Sequence, residues 1–240
     1  MIFKKPKLII FDFDNTLYDY DYANKVAIKE LLNKCGQMFS INKKLILLNF
    51  NKARAQIKKQ LGNTASSHNR LLYIYRMLEI LNLKSQINSA LELERIYWRS
   101  FISNMKLFPN VINFLNQLRI LDIKRALLTD LTSDIQFRKI SALGLEKYFD
   151  YVVTSEESGA DKPSKQSFEL LLKKTKILPK NEIWMIGDNI INDIYGAKKN
   201  LKAKTFCKIK NFFEYKTYKG VKPDKLFSNF SEMIKLMKNH

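Results

Sequence analysis

Short apolar runs rich in β-branched and aromatic residues alternate along much of this chain with stretches whose apolar positions step by three and four. The runs lie at 7–13, 123–129, 151–154, 183–187 and 203–206. Each is strand-length and bounded by polar or turn residues, which predicts strands. Between them, Val111, Leu115, Leu118 and Leu121 fall near one face of a helix that Pro109 is suited to open. A second helix is expected over 132–143, ended by Gly144, and a third capped by Ser164 and running through Phe168, Leu171 and Leu172. Strands alternating with helices predict a parallel sheet covered on both faces.

Residues 19–105 break the alternation. They hold no strand-like run, and their apolar positions recur at helical spacing in four sets: Ala23, Val26, Ala27 and Leu31; Ile46, Phe50, Ala53 and Ile57; Leu71, Ile74, Leu78 and Leu81; Ala90, Leu93, Tyr97 and Phe101. The reading is an α/β core, 1–18 and 106–240, into which an all-helical domain, 19–105, is inserted after the first strand.

Composition narrows the function classes. With 240 residues and 46% hydrophobic content the chain can bury a real core. Two cysteines, Cys35 and Cys207, support neither a disulfide framework nor a zinc cluster, and a reducing cytoplasm is the simplest setting. The first apolar run is interrupted by Asp12 and Asp14, unlike a signal peptide, and no run reaches the length of a membrane span, so no membrane partner is expected. The net charge of +19 invites a nucleic-acid hypothesis. The lysines are spread along the whole chain, however, which reads as a solvated surface, and no nucleic-acid partner is expected. Nothing in the sequence indicates an oligomeric state.

The chemistry lies where polar residues follow the apolar runs. The first run ends in Asp12 and Asp14, the second in Thr129-Asp130, and the fourth in Asp188, with Asp193 shortly beyond. In a parallel sheet these carboxyl ends share one edge, where α/β proteins place their ligands. Crowded carboxylates repel unless a cation sits among them, and an oxygen-only set favours Mg²⁺. The two histidines, His68 and His240, lie elsewhere, which disfavours a zinc site or a serine–histidine triad. An aspartate beside Mg²⁺ can attack phosphorus, and a second carboxyl two residues on can protonate the leaving oxygen and later activate water.

Four stretches in order carry a resemblance: Asp12-Phe13-Asp14-Asn15-Thr16-Leu17; Leu127-Leu128-Thr129; Lys162-Pro163; and Gly187-Asp188-Asn189-Ile190-Ile191-Asn192-Asp193, continuing to Gly196-Ala197. The chain resembles the haloacid dehalogenase-like hydrolase superfamily in its phosphatase branch. That resemblance implies a Rossmann-like parallel sheet with helices on both faces and an inserted helical cap that closes over the cleft. It implies Asp12 as nucleophile and metal ligand, and Asp14 as general acid/base whose backbone carbonyl also meets the metal. Thr129 and Lys162 would bind the phosphoryl group, Asp188 would ligate Mg²⁺, and Asp193 would support the metal through water or as a neighbour of its ligands. Asp130 stands where such proteins more often carry Asn or Gly. Its side chain is expected either to turn away, leaving its N–H for the phosphate, or to meet a substrate hydroxyl.

The substrate expected is a small phosphorylated metabolite, a nucleoside monophosphate or a sugar phosphate. Stretches at 129–137 and 156–162 resemble nucleotidase-like and sialic-acid-phosphate phosphatase-like members. A phosphomutase shares the Asp12 and Asp14 chemistry, but 19–105 holds no recognisable motif for it. A dehalogenase would need neither Mg²⁺ nor Asp14, and a nucleic-acid-binding scaffold on this fold has only the net charge behind it. Tyr73, Tyr75, Tyr97 and Trp98 read as helical core, Cys35 and Cys207 as packing residues, and His68-Asn69-Arg70 as a solvated helix start.

Overall fold

The computed structural model describes residues 3–178, 182–210 and 217–238; His240 lies outside them. The chain divides into two compact units, Met1–Asp19 with Leu107–His240, and Tyr20–Lys106.

In the first unit six strands form one parallel sheet: β1 (Leu8–Phe11), β2 (Lys124–Thr129), β3 (Tyr151–Thr154), β4 (Ile183–Gly187), β5 (Lys204–Lys208) and β6 (Lys225–Phe227). Their order across the sheet is β3-β2-β1-β4-β5-β6. Phe11, the last residue of β1, sits beside Leu127 on one flank and Ile186 on the other, and β2 runs two residues and β4 one residue beyond that register. The five expected runs all form strands, with ends shifted by a few residues. The sixth, β6, is three residues long and carries one lysine, too short for a pattern to show.

Because side chains alternate across a strand, each strand of a doubly covered sheet feeds two cores. Leu8 and Ile10 point into a cluster with Ala126, Leu128, Met185, Phe168 and Leu171, beneath helices α8 (Lys165–Thr175) and α9 (Gly196–Leu201). On the other face Phe11 meets Phe114 at a ring-centroid distance of 6.1 Å, and Phe114 meets Phe230 at 5.6 Å. Those rings come from α5 (Val111–Ile120) and α10 (Phe230–Met237). Helix α10 begins with a capping box between Asn229 and Glu232. Helix α6 (Ser133–Ala142) follows β2, and a short helix α7 (Ser155–Ser158) follows β3. Ser164 occupies the N-cap position of α8, but its side chain makes no capping bond.

The second unit holds α1 (Tyr20–Phe39), α2 (Lys43–Leu61), α3 (Arg70–Ile80) and α4 (Ile87–Ser103), with a 3₁₀ turn at Ala65–His68 before α3. Leu31, Cys35, Ile46, Phe50, Ile57, Tyr73, Ile74, Leu78 and Leu93 share one core, as their spacing predicts. The solvated start expected for α3 is corrected by the structure. Asn69 caps the helix by accepting from the Leu72 N–H, while Arg70 is buried. Its guanidinium donates to the Tyr97 hydroxyl at 3.1 Å, to the His68 carbonyl at 2.6 Å and to the Tyr20 hydroxyl. The Tyr73, Tyr97 and Trp98 rings surround it at 5.3–5.6 Å. Among the described residues no helix is long and apolar enough to cross a membrane.

Candidate active site

The carboxyl end of β1 sets the site. Asp12 is still in sheet register, its N–H donating to the Ile186 carbonyl at 2.9 Å. The chain then doubles back: Asn15 takes a left-handed φ of 61°, a conformation Asn tolerates, and the Thr16 and Leu17 N–H groups return to the Phe13 carbonyl. This turn swings the Thr16 hydroxyl under Asp12, where it donates to Oδ2 at 2.7 Å, with Asp188 Oδ1 at 3.4 Å. Thr16 was not singled out from the sequence, because only the turn reveals what its hydroxyl meets.

On its other oxygen Asp12 accepts from the Lys162 ammonium at 2.6 Å, and Asp193 Oδ1 accepts from the same ammonium at 2.7 Å. Asp12, Lys162 and Asp193 are all buried. Asp193 Oδ2 also accepts from the Asn189 N–H at 3.0 Å. Gly187 makes room for this arrangement, since a Cβ there would lie 2.3 Å from Asp193 Oδ2.

Carboxylate oxygens of Asp12, Asp188 and Asp193 lie within 4.8 Å of one another. Burial pushes the Asp188 carboxyl well above its ordinary range, with the negative charges of Asp12 and Asp193 adding to the effect. Burial likewise pushes Asp193 up to about 7, against the pull of Lys162. For Lys162, burial alone would favour the neutral amine. Asp12, Asp193 and Asp130 outweigh it and hold the ammonium well above its usual value. Three carboxylates facing one ammonium leave two negative charges over when all are ionised. A divalent cation bound through oxygen matches both that excess and the donor chemistry.

Thr129 is buried at the end of β2, and its hydroxyl oxygen accepts from the Gln136 amide of α6 at 2.6 Å. The hydroxyl proton is directed at the Asp130 carbonyl over a long 3.4 Å contact, which a better acceptor can replace. The Asp130 side chain turns to the protein: it accepts from the Lys162 N–H at 2.9 Å, and the Asn192 amide lies at 3.4 Å. Burial pushes Asp130 up to about 6, with Lys162 acting in the opposite direction. The N-cap of the π-helical turn Ile190–Tyr195 is Asn189 rather than Asp188, so capping does not account for Asp188.

Asp14 is not one of these three clustered carboxylates. Its Oδ1 accepts from the Tyr18 hydroxyl and the Lys139 ammonium, both at 2.6 Å, and its side chain is 31% exposed. Neither partner was named from the sequence. A signal existed for Lys139, because Ile135, Gln136, Lys139 and Ile140 are spaced as one helix face and all are buried.

The family model described as haloacid dehalogenase-like hydrolase matches residues 9–207. The chain belongs to that family. A ribulose-1,5-bisphosphate 5-phosphatase from Halopiger xanaduensis is 34% identical to this hydrolase over 79% of each chain. A glyceraldehyde 3-phosphate phosphatase from Methanocaldococcus jannaschii is 26% identical over 80% of each. Among solved structures, the HAD-hydrolase YfnB of Bacillus subtilis superposes with a TM-score of 0.71 at 18% identity, covering 98% of this chain and 99% of that one. The last likeness concerns the fold.

Proposed function

We propose that this hydrolase is a Mg²⁺-dependent phosphatase of small phosphorylated sugars that works through an aspartyl phosphate on Asp12. The contact between Asp12 and the Lys162 ammonium carries the reading. A buried carboxylate held by a buried cation, with a second carboxyl at Asp14 partly open to solvent, is the constellation that in-line attack on a phosphoester requires. The ribulose bisphosphate and glyceraldehyde 3-phosphate named in the relatives' activities support a sugar phosphate over a nucleotide.

Asp12, Asp188 and the Asp14 carbonyl would hold the Mg²⁺, with Asp193 behind them. The ion supplies charge neutralisation for the phosphoryl group when bound. The chain's own residues do the rest. Thr16 and Lys162 fix the Asp12 carboxylate for attack. Lys162 also offsets charge on the phosphoryl oxygens, and Thr129 donates its hydroxyl proton to one of them. The Asp130 carboxylate anchors the Lys162 backbone, which leaves the Asp130 N–H as that residue's donor toward phosphate. Asp14 gives a proton to the departing oxygen and takes one from water in the second half-reaction.

The test is Mg²⁺-dependent phosphate release from a panel of sugar phosphates, nucleotides and 4-nitrophenyl phosphate. Wild-type turnover that EDTA abolishes, and that Asp12→Asn lacks, is the expected result. Turnover retained by Asp12→Asn removes the nucleophile, and indifference to EDTA removes the metal.

A further inference from the structure

Both bonds to the Asp14 carboxylate fall on one oxygen. The Lys139 ammonium and the Tyr18 hydroxyl each reach Oδ1 at 2.6 Å, and none of the described residues donates to Oδ2. Lys139 comes from α6, a long way along the chain from Asp14, and its side chain is wholly buried. Its ammonium lies 5.4 Å from the Phe13 ring centroid and 5.6 Å from that of Tyr18. The cation is thus enclosed by the two aromatic residues that flank Asp14 on the same turn. Burying a lysine is costly, and here the compensation comes from a carboxylate that itself stays partly open.

We propose that Lys139 and Tyr18 are positioning residues for proton transfer: by occupying Oδ1 they fix the plane of the Asp14 carboxyl and leave Oδ2 as the oxygen that exchanges protons with substrate and water. The inference rests on the reaction described above. An oxygen that already accepts from two donors is a poor seat for a proton, so the proton sits on Oδ2. In the first half-reaction an Asp12 oxygen bonds to phosphorus as the ester P–O bond breaks, and the Oδ2 proton passes to the departing alkoxide oxygen. In the second, a water oxygen bonds to phosphorus as the Asp12 O–P bond breaks, and the water proton returns to Oδ2. Asp12 and the Asp14 carboxyl are thereby restored.

Leaving-group dependence separates this role from general packing. A sugar phosphate departs as a basic alkoxide and needs the proton, whereas 4-nitrophenolate departs without it. The value of kcat/KM reports events up to formation of the aspartyl phosphate, and the ratio between two esters cancels losses common to both. The esters are 4-nitrophenyl phosphate and whichever of glyceraldehyde 3-phosphate and ribulose bisphosphate the wild type cleaves faster. Lys139→Met should lower kcat/KM for the sugar phosphate by about 100-fold and for the aryl ester by less than about 3-fold. Tyr18→Phe should act in the same direction by about 10-fold, and Lys139→Arg should recover most of the lost ratio. If Lys139→Met does not fold, Tyr18→Phe decides. Equal losses on the two esters overturn the inference and leave the proposed reaction standing, as does a wild type that cleaves the aryl ester alone. A wild type inert toward every ester sinks the proposed reaction itself.

Discussion

The Lys162 ammonium lies 2.6 Å from Asp12 Oδ1, with both side chains buried at the carboxyl edge of the sheet. One cation therefore restrains the candidate nucleophile and, through Asp193, the carboxylate behind it. Lys162→Met removes the charge while keeping most of the aliphatic stem. With Mg²⁺ present, kcat/KM for 4-nitrophenyl phosphate should fall by about 10²–10³-fold, the scale of losing one oriented electrostatic group. A loss under about 5-fold in steady-state assays would show that Lys162 is a structural counter-ion only.

The raised carboxyls give the metal-free protein a definite response to pH. Asp193 is pushed up to about 7 and Asp188 well above its ordinary range. In the folded state both bind protons that the unfolded chain has already released. Their contribution to stability is therefore fully present below the ordinary carboxylate value of about 4 and is lost as pH rises through the folded values. Thermal melts in EDTA should show the midpoint falling between about pH 5 and pH 8. Added Mg²⁺ should raise the midpoint most at the upper end, because ligand carboxyls must be ionised to bind it. A Mg²⁺ increment that is flat with pH would contradict the placement of the ion among these carboxyls.

Gly187→Ala would drive a methyl group to 2.3 Å from Asp193 Oδ2. Neither β4 nor the Asn189 and Lys162 bonds to Asp193 can shift freely. Overpacking of this kind costs about 1–3 kcal/mol, to be read from urea unfolding, and phosphatase turnover should drop in parallel. Unchanged stability would mean that Asp193 has room to move.

Arg70 is the keystone of the helical unit. Replacing it with Leu removes the N–H groups that the His68 carbonyl and the hydroxyls of Tyr20 and Tyr97 now receive. Losing several buried hydrogen bonds at once should cost about 2–4 kcal/mol. Urea melts followed by tryptophan fluorescence, with Trp98 packed 5.6 Å from the guanidinium, check this; a change below about 0.5 kcal/mol would refute it.

How far the site was readable depends on the kind of signal each residue leaves. Asp12, Thr129 and Asp188 stand at ends of continuous apolar runs, so their shared edge follows from parallel pairing alone. Lys162 was readable only as part of an ordered set of motifs, since a lysine before a proline carries no burial signal of its own. Lys139 and Arg70 left weaker traces. Each is a charged residue on a buried helix face, Lys139 with Ile135, Gln136 and Ile140, and Arg70 with Tyr73, Ile74 and Met77. A rule that places Lys and Arg at the surface reads both as solvated. The strand β6 and helix α10 passed unread, although Asn229 and Glu232 spell out a capping box three residues apart.

The sequence by itself determined the α/β alternation, the helical interruption after the first strand and the edge to which the aspartates come, because all of these follow from periodicity along the chain. Tertiary structure alone decided which oxygen meets which donor. Thr16 reaches Asp12 only because the chain turns at Asn15, Asp130 bonds the Lys162 backbone, and Lys139 crosses from α6 to Asp14. The physical reason is range. A hydrogen bond depends on a separation of about 3 Å between groups that can be over a hundred residues apart, and only packing of the whole sheet sets that separation.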